Sequence, residues 1–562
     1  MQHTGKLELT WGGKYKQHKI EPRILVEDWT KSYGDPANEN ILIHGDNLIA
    51  LQALQQDYSG TIKCIYIDPP YNTGSAFEHY DDNLEHSIWL NMMQQRLQLL
   101  RDLLADDGGI CIQIDAVEMP YLKVLLDEIF GRRNFINIIS IKTKIAGVSG
   151  SNLGKSLQDN VEYILLYAKD ILCFQLNVVP QKRQELLEYI DDYTTQGKSW
   201  KYTTVMREVD EGTFLKSFLA GNGDVIKLYR HERYELCSVS QIAREEFGGD
   251  LKQAYYKYID KILRTTNAQT SIRTKVIDET VEFDNGAGLF SIEYIPIKGK
   301  NAGKKIRSFY KDNNLIAWLR DVVSCEKKGI FKLDNMGNLW DDIQYNNLTK
   351  EGDVQFPNGK KPEALVARII AMLSKENDIV LDSFLGSGTT AAVAHKMRRR
   401  WIGIELGNHA YTHCKVRLDR VIDGADAGGI SSTVNWQGGG GYHFYELGPS
   451  LLVRNKKLPI YQINPEFTFE MLCEAICKIE GFKYVPNGVF HGHSSEKRFI
   501  HITKEFVNAA YIKSVTATLG DGQSLLIYGT KIQSDLRLPD NVEVKKIPKD
   551  LLEKCEFESE VR

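Results

Sequence analysis

The sequence predicts an α/β protein built on a doubly wound, mostly parallel sheet. A long insert separates the two halves of that sheet, and a further α/β region follows them. Three observations predict this. Residues 41–175 alternate short apolar runs with helix-periodic stretches, and residues 336–447 do so again. Between them, residues 176–335 lose that rhythm and become rich in Tyr, Lys, Glu and Asp. A glycine-bearing turn at 382–390 lies between a strand-like and a helix-like run, as a ligand crevice in such a sheet requires.

Residues 1–40 are polar and read as an arm or small lead-in element. ILIHGDNLIALQAL, 41–54, reads as a strand, a turn and a helical start, with Asp46 and Asn47 both suited to cap the helix. Ile62 to Ile67 is rich in β-branched residues and reads as a buried strand. Asp68-Pro69-Pro70-Tyr71 ends it, because proline fixes φ and donates no N–H. Ile88 to Leu104 is a periodic helix, GGICIQID (108–115) a buried strand, Met119 to Phe130 a helix, and EYILLYAK (162–169) a strand. FPNGKKPEALVARIIAML, 356–373, reads as a proline-initiated amphipathic helix with Leu365, Ile369 and Met372 on its core face. Ile379 to Leu381 is a short strand, followed by the turn 382–390, a helix ending near Arg398, and a strand from Trp401 to Ile404 that ends in Glu405. GGGGYHFYEL, 438–447, marks a glycine-rich boundary, and residues 448–562 read as a separate α/β tail.

Composition narrows the function classes. A chain of 562 residues suits three or four domains, and 42% hydrophobic with 26% charged residues suits globular ones. No apolar stretch reaches the length that spans a bilayer, and MQHTGKLELTW lacks the apolar core of a signal peptide. The cysteines are scattered with no C-x-x-C pair, which fits a reducing cytoplasm. Cys473 and Cys477 share one helix face, and His491, His493 and His501 lack ligand spacing, so no metal site is expected. A net charge of −4 argues against wholesale coating of nucleic acid and leaves local patches. The strongest is residues 297–311, with Lys298, Lys300, Lys304, Lys305 and Arg307, no acid, and two interleaved aromatics. A second cluster, Lys396 with Arg398, Arg399 and Arg400, closes a helix end, where compensation of the helix dipole is a sufficient explanation.

Two motifs carry chemistry. Asp68-Pro69-Pro70-Tyr71 holds a carboxylate and an aromatic ring rigidly at the carboxyl edge of a strand. The chemistry that needs this is alkylation of a base amino group, whose lone pair is delocalised into the ring. The Asp68 carboxylate and the Pro69 carbonyl can accept its two hydrogens, while Tyr71 stacks on the flipped base. The second motif is Asp382-Ser383-Phe384-Leu385-Gly386-Ser387-Gly388-Thr389-Thr390 within a βαβ unit. Gly386 and Gly388 permit close approach of a ligand to the backbone. Glu405, 23 residues beyond Asp382, lies about where an acid meets ribose hydroxyls. Thr389 and Thr390 stand where a dinucleotide fingerprint would carry its third glycine.

These residues resemble the amino-methyltransferases that modify DNA with S-adenosylmethionine. Asp68-Pro69-Pro70-Tyr71 matches the family's catalytic motif, and Asp382-x-Phe384-x-Gly386-x-Gly388-Thr389 its cofactor motif. The order of the two resembles the circularly permuted β class, and DPPYNTG, Gly45-Asp46-Asn47 and VIDGADAGGIS (421–431) are similar to modification subunits of type III restriction–modification systems. The resemblance, over residues 5–450, implies a seven-stranded methyltransferase sheet with catalytic half 41–175, target-recognition domain 176–335 and cofactor half 336–447. It places Asp46 and Asn47 against the cofactor's adenine, and Lys361 with Pro362 over its methionine end. It implies adenine N6 of double-stranded DNA as substrate, a homodimer, and a helicase–nuclease restriction subunit as a further partner, joined through residues 448–562. Cytosine N4 methylation, a catalytically silent DNA-specificity subunit, and methylation of RNA or protein glutamine are the alternatives. In such an enzyme the 297–311 patch is expected to hold phosphates.

Overall fold

The computed structural model describes residues 8–16, 19–72, 85–143, 159–219, 223, 225–267, 270–296, 303–326, 329–346, 348–356 and 359–557. The chain forms two compact units, Pro180–Met336 and the remainder on either side of it, Met1–Val179 with Gly337–Arg562.

The larger unit is organised by one sheet. Its elements in chain order are β1 (Leu25–Glu27), β2 (Ile41–His44), α1 (Asn47–Tyr58), β3 (Ile62–Ile67), α2 (His86–Leu103), β4 (Leu104–Ile114) and α3 (Met119–Leu126). There follow β5 (Phe135–Lys142), β6 (Val161–Ala168), β7 (Leu339–Trp340), α4 (Glu363–Leu373), β8 (Ile379–Asp382), α5 (Thr389–Lys396), β9 (Arg400–Glu405), α6 (Val416–Ile422) and β10 (Gly441–Leu447). The spatial order is β1-β10-β2-β9-β8-β3-β4-β6-β5-β7. Its centre, β2-β9-β8-β3-β4-β6-β5, is the seven-stranded doubly wound core, in which β6 alone runs antiparallel to its neighbours. Edge strands widen it to eleven, counting the short Tyr33–Gly34 beside β10.

The sequence explains the layers. β3 and β4 are buried on both faces, as strands covered by helices on both sides must be. α2 turns Trp89, Met93, Leu97 and Leu100 onto the sheet at helical spacing. The chain order reverses between β8 and β3, so their carboxyl ends flank the crevice where open α/β sheets bind ligands.

Of the two readings of residues 1–40, an arm or a small lead-in element, the described residues fit the second: β1 pairs antiparallel with β10, and the buried Glu21 accepts from the Leu451 N–H and the Ser450 hydroxyl. One expectation is corrected: the 448–562 tail is not separate. It builds its own five-stranded sheet from Lys483–Asn487 to Val542–Lys546, but Ile24 belongs to its core and the Gln56 amide on α1 donates to the Phe482 carbonyl. These contacts join it to the larger unit. Cys473 and Cys477 are buried on its helix Phe469–Glu480. His491 and His501 pack against each other 5.3 Å apart, and His501 reaches the Tyr511 hydroxyl at 2.9 Å.

The unit Pro180–Met336 is an eight-stranded antiparallel sheet with a three-stranded sheet beside it, its helices covering apolar clusters around Ile242 and Phe290. Among the described residues, no helix is long and apolar enough to cross a membrane, and no His, Cys, Asp and Glu cluster is arranged to hold a metal.

Candidate active site

β3 delivers Asp68 to the carboxyl edge of the sheet, and the two prolines turn the chain there. The Pro70 carbonyl accepts from the Trp89 indole of α2 at 2.8 Å, which fixes the turn from below. Asn72 closes it in the left-handed region (φ 58°) and donates to the buried Glu118 at 2.7 Å. Asp68 Oδ2 meets Lys361 Nζ at 3.0 Å. Asp68 Oδ1 is buried and has no hydrogen-bond partner among the described residues.

A second carboxylate stands behind. Glu162, at the start of β6, accepts from the Tyr71 hydroxyl at 2.8 Å and from the Gln113 amide at 2.5 Å. Gln113 in turn accepts from the buried Tyr66 hydroxyl at 2.6 Å. Lys361 Nζ lies 3.6 Å from Glu162 and 4.9 Å from the centre of the Tyr71 ring. Burial pushes the Asp68 carboxyl up, and the Lys361 ammonium opposes that push. Burial alone would lower Lys361, but Asp68 and Glu162 together hold it above its ordinary value. Burial, then the charges of Asp68 and Glu162, keep the Tyr71 phenol protonated.

Lys361 reaches this point because α4 is anchored immediately after it. Glu363, fully buried, meets Lys396 Nζ at 2.8 Å and Arg417 Nη2 at 2.7 Å, and accepts from the Ile430 N–H at 3.0 Å. Asp426, in the 421–431 stretch, holds Lys396 from the other side at 2.6 Å. The basic cluster read at 396–400 is therefore corrected. Lys396 is a buried counter-ion, Arg399 donates to the Met397 and Ser374 carbonyls, and Arg400 pairs with Glu39.

Across the switch point, β8 ends in Asp382, whose carboxylate accepts from the Phe384 N–H at 2.9 Å and the Thr390 hydroxyl at 2.6 Å. Those bonds tie the two ends of the turn together. Burial pushes Asp382 up to about 7. Gly386 (φ 56°) and Gly388 (φ 78°) are left-handed, and a Cβ on Gly388 would stand 3.2 Å from the Cys414 backbone. Gly386 faces open space: a Cβ there meets nothing nearer than the Phe384 carbonyl at 3.9 Å. Glu405 accepts from the Gly386 N–H at 2.6 Å and meets His409 at 2.8 Å. Ser387 and Thr389 share a hydrogen bond of 3.1 Å, and Arg417 donates to Thr389.

A cavity of about 80 Å³ lies between the two motifs, lined by Asp46, Asn47, Pro70, Arg96, Phe384 and Glu405 among others. Asp46 caps α1 by accepting from the Leu48 and Ile49 N–H groups while lining this cavity. The Asn47 amide is engaged by the protein itself, donating to the Ser383 carbonyl at 2.7 Å and accepting from Arg96. One motif and the other thus meet at one crevice, with Lys361 on the Asp68 side of it. Pro362 is the residue from which α4 starts.

Sequence reasoning missed Glu162, Gln113, Trp89 and Arg96. Glu162 had a signal, since it is a lone acid opening the apolar strand EYILLYA. In the other unit, Lys298 and Lys300 lie outside the described residues. Lys304 is exposed, whereas Lys305 and Arg307 sit 2.8 Å and 3.6 Å from Glu293, which offsets part of the expected positive patch.

A doubly wound sheet with an acidic tetrapeptide on one side of its switch point and a glycine turn on the other defines a ligand-binding α/β enzyme fold. The chain belongs to the DNA methylase family (N6_N4_Mtase), whose model matches residues 62–415. It is 47% identical over 467 residues to the "Probable type III restriction-modification enzyme HindVI Mod subunit" of Haemophilus influenzae, covering 82% of this chain and 61% of that one. The chain therefore spans less than two thirds of that relative's length. It is 37% identical over 377 residues to the type II methyltransferase M.KpnI of Klebsiella pneumoniae, covering 64% of this chain and 77% of the other. Among solved structures, the cytosine-N4-specific PvuII DNA methyltransferase aligns with 75% of this chain and 94% of its own at 13% identity and a TM-score of 0.33.

Proposed function

We propose that the chain is a site-specific DNA methyltransferase that moves a methyl group from S-adenosylmethionine to adenine N6 in double-stranded DNA. It serves as the modification and specificity subunit of a type III-like restriction–modification system. The observation that carries this reading is the buried Asp68 carboxylate, with Oδ1 unpartnered among the described residues, in the same tetrapeptide as Pro70, which shares one crevice with Ser383 and Phe384 of the glycine turn.

The residues present suit the cofactor. Glu405, Asp46 and Phe384 line one crevice, and a Cβ on Gly386 would meet open space. Bound there, S-adenosylmethionine supplies a methyl group on a positively charged sulfur. Asp68 Oδ1 accepts one hydrogen of the base amine and the Pro69 carbonyl the other, which raises electron density on nitrogen. Tyr71 stacks on the base. Its hydroxyl is held by Glu162, so the ring cannot rotate away. Positioning supplies most of the rate, because the sulfonium is already activated. Aspartate at position 68 favours adenine over cytosine, where related tetrapeptides often begin with serine. The printed name of the HindVI relative, a Mod subunit, supports the type III setting and a restriction-subunit partner, and the resemblance to that class implies a homodimer.

Single-molecule sequencing of DNA from cells with and without the gene tests the reading. N6-methyladenine in one motif is expected. N4-methylcytosine in that motif would correct the base, and an unmodified genome under verified expression would make the chain a silent specificity subunit. Light scattering of the purified protein with and without duplex DNA is expected to give a dimer. A monomer in both conditions overturns that part.

A further inference from the structure

Lys361 touches two carboxylates, and only one of them belongs to the catalytic tetrapeptide. Its ammonium lies 3.0 Å from Asp68 Oδ2 and 3.6 Å from Glu162 Oε2. A shift of well under an ångström exchanges the nearer partner. Glu162 already orders the rest of the floor, gripping the Tyr71 hydroxyl on one side and the Gln113 amide on the other. Lys361 itself cannot leave, because the next residues, Pro362 and the buried Glu363, are locked into the ion network with Lys396 and Arg417. Its ammonium lies over the Tyr71 ring, 4.9 Å from the centre, so ring, ammonium and both carboxylates form one packed group.

We propose that Lys361 and Glu162 are positioning residues for the methyl-transfer step, with Lys361 holding Oδ2 of Asp68 so that the carboxylate stays ionised and Oδ1 stays open to the target amine, and Glu162 giving Lys361 its second anchor. This rests on the proposed function and deepens it. Two costs are solved together. Without a cation, an isolated buried carboxylate takes up a proton and stops being an acceptor. Without a second acceptor, the cation would be free to swing from Oδ2 onto Oδ1 and compete with the amine there. Glu162, 3.6 Å from Nζ, anchors it while leaving it within Coulombic reach of Asp68.

The groups facing Asp68 are Lys361 from the segment before α4, Glu162 from β6, Tyr66 from β3, Tyr71 from its own turn, Tyr345, and Asp382 from β8. Among the described residues, Lys361 is the sole cation in that group. Its removal must raise the affinity of Asp68 for a proton, and removal of the Glu162 charge must lower it.

The test compares wild type, Lys361→Met and Glu162→Gln. Single-turnover methyl transfer from labelled S-adenosylmethionine to genomic DNA of a methylation-deficient strain is followed from acid to alkaline pH. The acid limb of Lys361→Met is expected to move to higher pH by about one unit or more, an about tenfold loss on that limb that recovers as pH rises. The acid limb of Glu162→Gln is expected to move the opposite way, with a lower plateau from the loosened Tyr71. Limbs that stay in place, or that move in the same direction, overturn the inference. So does a Lys361→Met protein that loses cofactor affinity by calorimetry while its pH profile is unmoved, since Lys361 would then be a cofactor ligand. Thermal midpoints of the three proteins, without DNA or cofactor, supply a readout independent of turnover. The loss of stability with rising pH is expected to be steeper than wild type in Lys361→Met and shallower in Glu162→Gln. Equal slopes overturn the inference even if no methyl transfer is found, whereas absence of transfer with opposed slopes counts against the proposed function alone.

Discussion

At the scale of single residues, Asp68 is useful only while it is an ionised acceptor, and everything around it bears on that state. Burial favours the protonated form and Lys361 the ionised one. Asp68→Ala removes the acceptor for the base amine, so methyl transfer should fall by about 100-fold or more, in line with the loss of one catalytic hydrogen-bonding group. Calorimetry should find S-adenosylmethionine affinity largely retained, because the glycine turn is untouched; turnover surviving in this variant would sink the catalytic assignment. Asp382 titrates in a different sense. Its carboxyl is pushed from 3.8 up to about 7 by burial. The folded chain therefore keeps a proton that the unfolded chain has released, and stability falls as pH rises between those two values. Asp382→Asn keeps an acceptor for the Phe384 N–H and cannot titrate, so it should flatten that fall, by up to about 1.4 kcal/mol for each unit of the shift. Denaturant midpoints of both proteins at pH 5 and pH 7.5 decide it: the same drop in wild type and variant would show that Asp382 is not the group responsible. Asp68 and Tyr71 were legible in the sequence because two adjacent prolines after an apolar run admit few structures. Glu162 was not, because its partners come from β3, β4 and the segment before α4, and no local spacing announces a pairing of that range.

At the scale of elements, the helices and strands of the core were legible wherever period and punctuation agreed. α2 and β3 lie where their apolar patterns put them. The helix expected from Met119 to Phe130 is regular only to Leu126 and widens over Asp127–Gly131, where Gly131 turns left-handed and Asp127 accepts from the Tyr167 hydroxyl at 2.7 Å. The ion network under α4 was not legible. Lys396 ends a helix, and a lysine there is ordinarily a solvated charge that offsets the helix dipole. Here it is completely buried because Glu363 and Asp426 arrive from two other segments to neutralise it. Removing one partner of such a group leaves charges stranded away from water, which costs more than the pair contributes net. Glu363→Ala should therefore destabilise the protein by about 3–5 kcal/mol, with Arg417 and Lys396 both left unpaired on one side. Glu363→Gln keeps an acceptor oxygen and should cost less. Chemical denaturation measures both, and an alanine variant within about 0.5 kcal/mol of wild type would show that the network is not stabilising α4.

At the scale of the whole molecule, the sequence conveyed an insert but little of its fold, because several paired strands of its antiparallel sheet, such as Val225–His231 with Leu289–Tyr294 and Ile262–Thr266 with Asn314–Trp318, lie far apart in the chain. The 448–562 tail was misread as separate for a related reason. What attaches it, Glu21 to Ser450 and Leu451 and Ile24 to the tail's own core, joins the two ends of the chain, and nothing in either stretch indicates the other. The insert itself is closed at its base. The Met336 N–H donates to the Pro180 carbonyl at 2.8 Å, and Gln181 stands opposite Asn335 where strands Gln181–Glu185 and Gly329–Asn335 run antiparallel. Entry and exit are thus side by side, so removing residues 180–336 leaves two ends of the larger unit that a short flexible linker can join without stretching the sheet. Both motifs and every residue of the Asp68–Lys361–Glu162 group remain in that larger unit. The protein with Pro180–Met336 replaced by about three glycines should therefore keep native-like circular dichroism and bind S-adenosylmethionine as wild type does. If the insert reads the target, as the proposed function requires, the same protein should no longer methylate the wild-type motif. Calorimetry and a labelled-transfer assay on motif-bearing duplex test the two halves separately. An unfolded product would show that the larger unit depends on the insert for its stability, and unchanged methylation of the same motif would move target recognition out of Pro180–Met336 altogether.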